Sequence, residues 1–108
     1  MKPLTHAQHG SDHQRVEALL TARLARWQRL IDDSKLQIHL GMREVRDRVA
    51  PLLTKMEMAV RHATIELRQI DECNEVDRLR VQRSLEHTLR GLEESMVEVR
   101  RSSEPLDD

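Results

Sequence analysis

Leu24, Ile31, Ile38, Val45 and Leu52 recur at intervals of seven residues, and no other feature restricts the fold of this chain so strongly. Seven residues make nearly two turns of α-helix. The spacing therefore lines one helix face with apolar groups and demands a second apolar surface to cover it. The companion positions are Leu20, Trp27, Ser34, Gly41 and Arg48, so one edge of the stripe stays apolar while the other turns small or polar. After an inserted four-residue step, Met56, Val60, Ala63, Leu67 and Ile70 continue the same face. The phase is thus kept across Pro51. A proline inside a helix removes a hydrogen bond and kinks or breaks it. A loop would randomise the phase of the next helix, so the preserved phase predicts a kink at Pro51 and no hairpin there.

The boundaries come from local chemistry. Ser11-Asp12-His13-Gln14 fits a capping box, in which the Ser11 hydroxyl accepts from a backbone N–H of the first turn and the Gln14 side chain reaches back to the Ser11 amide. At 71–77 the stripe fails, because its next positions would be Asn74 and Asp77. Asn74 is a good N-cap, and the acidic residues after it complement a helix dipole. Val81, Leu85, Leu89, Leu92, Met96 and Val99 then form a fresh apolar seam. The alternative reading of 71–77 is a polar interruption within one continuous helix.

The expectation is an all-α chain. A long amphipathic helix over about 11–72, kinked at Pro51, is followed by a turn at about 72–76. A C-terminal helix over about 76–101 folds back on it, within a coiled-coil or helical-bundle oligomer. Residues 1–10 and 102–108 are read as flexible tails. The 108 residues hold three Gly, three Pro, one Trp and neither Phe nor Tyr, which argues against a β-sandwich; 34% charged residues suit long amphipathic helices. The run Leu24-x-x-Trp27-x-x-x-Ile31-Asp32, with a polar break some forty residues later and a shorter amphipathic helix, resembles small bacterial coiled-coil proteins of uncharacterised function. The resemblance covers about residues 20–99. It implies a helical architecture and carries no activity or site.

Charge and cysteine content narrow the function classes. Net charge is −1, so no bulk basic field points to nucleic acid or to an anionic membrane. The charge is uneven: residues 1–54 hold nine Lys/Arg against six Asp/Glu, a net of +3, and residues 55–108 hold nine against thirteen, a net of −4. Halves of opposite sign attract when packed side by side. A single cysteine excludes an internal disulfide framework and points to a reducing compartment. With no signal-peptide pattern and no apolar run able to span a bilayer, a cytoplasmic location is expected.

The stripe residues Leu20, Leu24, Trp27, Ile31, Ile38, Val45, Leu52, Met56, Val60 and Leu67 are the expected partner or self-association contacts. A second apolar strip, Leu36, Leu40, Met58 and Ile65, falls on the opposite face of the long helix and predicts a second covering partner. His6-x-x-His9-x-x-x-His13, His13 with Glu17 and His62 with Glu66 have spacings that a transition metal could use. Gly10 and Ser11 interrupt the first set, and no Glu-x-x-His occurs, so solvated histidines and no metal are expected. Arg15, Arg23, Arg26 and Arg29 form a basic stripe without an aromatic platform; a solvated face, or pairing with an acidic helix such as 93–98, is expected. Cys73 sits among Asp71, Glu72, Glu75 and Asp77, the wrong field for a reactive thiolate. With no nucleophile elbow or phosphate loop, the sequence predicts a non-enzymatic, cofactor-free, homo-oligomeric interaction protein, a scaffold or assembly factor with a further protein partner left unidentified. The alternatives are a metal-binding helical bundle using the His/Glu pairs and an amphipathic surface-binding protein.

Overall fold

The computed structural model describes residues 2–103, with side chains described from Gln14 onward except at Asp71. Helix α1 spans Lys2–Leu40, α2 spans Arg43–Gln69 and α3 spans Glu75–Ser103, with a 3-10 turn at Ile70–Glu72 between the last two. The order is up, down, up. Helix α2 packs against both neighbours, whereas α1 and α3 meet at few points. The result is a rod of 68 × 21 × 20 Å.

The first reversal departs from expectation. The chain does not run as one helix from 11 to 72; it turns at Gly41–Met42. The Gly41 amide donates to the Ile38 carbonyl (3.2 Å), tightening the end of α1. Met42 then takes an extended conformation (φ −69°, ψ 141°), and its carbonyl accepts from the Arg46 amide (3.0 Å) as α2 begins. A single extended residue thus reverses the chain. Neither glycine nor any other residue described takes a positive φ here. The local chemistry agrees with a break, because Glu44 in the first turn of α2 complements its helix dipole.

At Pro51 no hairpin forms and α2 runs through the proline. The second reversal falls inside the expected window: Cys73 is extended, and the Asn74 Oδ1 accepts from the Asp77 amide at 2.8 Å as the N-cap of α3. At the N-terminus α1 begins at Lys2, so residues 2–10, expected as a tail, have helical backbone, and the helix runs through Ser11. Pro3 lies in the first turn, where a missing N–H leaves no bond unmade. Helix α3 extends to Ser103, and residues 104–108 lie outside the described residues.

The core is a single cluster drawn from all three helices: Leu20, Leu24 and Ile31 from α1, Val49 to Leu67 from α2 at steps of three and four, and Leu85 to Val99 from α3, with Ile70 closing one end. It is purely aliphatic; no polar or charged residue is buried among those described.

Candidate partner-binding surface

The residues expected to meet a partner are occupied within the chain. Leu20, Leu24, Ile31, Met56, Val60 and Leu67 are buried, and Trp27, Ile38, Val45 and Leu52 are half-buried against them. The reason is the turn at Gly41–Met42. It folds the stripe onto itself, so α2 covers α1 and the chain supplies its own second surface. Beyond the turn the phase of the stripe is set afresh. Val49 and Leu53, which the seven-residue spacing skips, are fully buried, while Val45 and Leu52 sit at the edge.

The second strip stays open to solvent. Leu36, Leu40, Met58 and Ile65 are 61%, 78%, 64% and 49% exposed. The single long helix expected to carry them as one strip is broken at Gly41–Met42, so the first two lie on α1 and the others on α2, which runs the opposite way. Among the described residues six further large apolar side chains are exposed: Leu19, Leu30, Met42, Val76, Leu79 and Val97. The spacing of the main stripe gives no sign of these; their signal is four- and seven-residue steps from charged neighbours, such as Leu19 and Leu30 around Arg23 and Arg26.

The sparse contact between α1 and α3 leaves a long groove along one side of the rod. One stretch, of about 560 Å³, is lined by Leu30, Asp33, Ile38, Met96, Val99 and Arg100 among others. A second, of about 290 Å³, is lined by Arg23, Arg26, Trp27, Leu30 and Glu93. Leu30 joins the two. The floor is apolar and the rims carry charge. Arg23 Nη2 lies 4.0 Å from Glu93 Oε1 across the groove, which brings one member of the basic stripe to the acidic helix.

Polar contacts elsewhere fix the helices relative to one another. Lys35 Nζ donates to Glu57 Oε2 at 2.6 Å, tying α1 to α2. That hydrogen bond holds the Glu57 carboxyl below its ordinary pKa, against the opposing effect of partial burial. The Ser84 hydroxyl donates to Glu66 Oε1 (3.5 Å) between α3 and α2. Glu66 also lies 3.4 Å from Nε2 of the exposed His62. That pair is a helix-surface contact one turn apart, and no group of three or more His, Cys, Asp or Glu that could hold a metal occurs among the described residues. The side chains of His6, His9 and His13 lie outside them, and with them the pairing of His13 with Glu17. The Cys73 thiol donates to the Gln69 carbonyl (3.3 Å) at the end of α2. No helix among the described residues is long and apolar enough to cross a membrane. Comparison of the chain with protein-family models, with curated proteins and with solved structures found no match.

Proposed function

We propose that this chain is a non-enzymatic helical interaction module, a scaffold or assembly factor that works through self-association and the docking of partner helices on its outer faces. One observation carries the reading: the bundle closes its own aliphatic core and still leaves ten large apolar side chains in solvent among the described residues. Single exposed apolar residues are ordinary on any surface. Here they follow helical spacing, Leu36 with Leu40 one turn apart and Met58 with Ile65 two turns apart, the arrangement that helix-in-groove recognition uses. The non-enzymatic part rests on the sequence, whose one thiol is set among carboxylates and which has no phosphate loop or nucleophile elbow.

The test is recovery of a partner from the native cell with a tagged chain, in parallel with the variant Leu36→Gln/Leu40→Gln/Met58→Gln/Ile65→Gln. The reading expects a discrete protein held by the parent and lost from the variant at unchanged helix content. The same proteins recovered with both would overturn it.

A further inference from the structure

We infer that the α1–α3 groove is the seat of a second copy of this chain, related by a two-fold axis. The inference rests on the interaction-module reading and names the surface and the occupant for self-association.

The groove carries five charged side chains, whose signs form a two-by-two checkerboard. Helices α1 and α3 run in the same direction, and the two stretches of the groove set which of their residues stand side by side, Arg26 by Glu93 and Asp33 by Arg100. At one end Arg23 and Arg26 of α1 stand beside Glu93 of α3. Two turns further on, Asp33 of α1 and Arg100 of α3 line the same stretch. Signs therefore alternate both along each rim and across the groove. A pattern of that kind is complementary to itself. With a two-fold axis along the rod, α1 faces α3 of the second copy, so Arg26 meets Glu93 and Asp33 meets Arg100. With the axis across the rod, α1 faces α1 of the second copy with its ends reversed, so Arg26 meets Asp33 and Glu93 meets Arg100. Either two-fold arrangement places opposite charges together, and opposed potentials of this kind set register and partner choice.

Apolar groups sit where the second copy would need them. Leu30 lies one helical turn beyond Arg26, Val97 one turn beyond Glu93 and Leu19 one turn before Arg23, and all three are exposed. Leu30 and Val97 fall between the two charge pairs, so both arrangements gather two copies of each at the two-fold axis. That gives an apolar centre and a charged rim, the usual anatomy of an interface. The groove spans Arg23 to Gln37, about 21 Å of helix, on a rod 21 Å broad, so the face is on the order of 400 Å² per copy. A stable dimer buries about 800 Å² per partner. The association is accordingly weak and concentration-dependent.

The experiment is sedimentation equilibrium on the full chain, at concentrations reaching about 1 mM. The parent should pass from monomer to dimer mass over the series. Arg26→Glu should weaken the association at least about tenfold, because it opposes like charges at two places. Restoration by a second reversal then reads the geometry. Adding Glu93→Arg restores the dimer if the axis runs along the rod, and adding Asp33→Arg restores it if the axis runs across; either rescue supports the inference. Every reversed residue is exposed, and helix content by circular dichroism checks that each variant folds. A monomer at all concentrations, a dimer indifferent to Arg26→Glu, or rescue by neither reversal would overturn it. The response of the mass to Arg26→Glu and to its rescue reads this surface alone. Loss of it with partner capture through Leu36, Leu40, Met58 and Ile65 intact would leave the broader proposal standing.

Discussion

Lys35 and Glu57, twenty-two residues apart in the chain, meet at 2.6 Å and tie α1 to α2. The contact depresses the Glu57 carboxyl relative to its ordinary value of 4.5. A carboxyl more acidic in the folded state stabilises that state wherever it is ionised in both states. Its contribution is therefore complete at neutral pH and disappears as pH drops below 4.5, through the folded-state value. The Lys35 side chain is 42% exposed, so the pair is worth about 0.2–1 kcal/mol at most. Lys35→Met should lower unfolding free energy by that amount at pH 7 and by little at pH 3, which urea titrations at the two pH values would measure.

Ile31 is fully buried, and Leu36, five residues on, stands in solvent. Ile31→Ala should cost about 2–5 kcal/mol, through lost transfer energy and the cavity left behind. Leu36→Ala should change stability by no more than about 0.5 kcal/mol. If the seven-residue stripe were instead covered by a second chain, the cost of Ile31→Ala would depend on protein concentration; denaturant midpoints at two concentrations separate the two cases.

The Asn74 side chain caps α3 through the Asp77 amide. Asn74→Ala should destabilise the bundle by about 0.5–2 kcal/mol, and Asn74→Asp should preserve it, since a carboxylate accepts the same bond. Equal losses in both variants, by thermal unfolding, would remove the cap from the account of this turn.

Pro51 and Gly91 are interior helix positions with poor helix formers. Pro51 is exposed, and its replacement by Ala restores a backbone donor, with an expected gain of about 1–3 kcal/mol. A Cβ on Gly91 would meet nothing within 4 Å, and the residue has no positive φ. Gly91→Ala should add about 0.5–1 kcal/mol, a rise in Tm of several degrees for a chain of this size.

Much of this architecture is legible in the residues. The aliphatic seam of α3 from Leu85 to Val99, the cap at Asn74 and passage of a helix through Pro51 all come from spacing and cap chemistry. Gly41–Met42 is harder to read, because the apolar spacing from Ile38 to Val45 stays at seven across the turn. A reversal made with one extended residue and no positive φ uses no turn-specific sequence, and Gly41 falls at a position of the seam itself. The location of the groove is illegible for a related reason. It depends on how far α3 stands from α1, a distance set by the packing of each on α2 and written in neither helix.

The reversal at Met42 also has a kinetic side. Because both turns are short and α2 lies between its sequence neighbours, most native contacts join segments adjacent in the chain. Proteins built from local contacts lose little chain entropy before their first favourable contacts form, and helical bundles of this type fold in microseconds to milliseconds. During synthesis, α1 leaves the ribosome with Leu20, Leu24 and Ile31 uncovered, and α2 emerges after only two residues of connection. The interval in which that stripe is open to other chains is the time needed to make α2, on the order of seconds at about 5–20 residues per second.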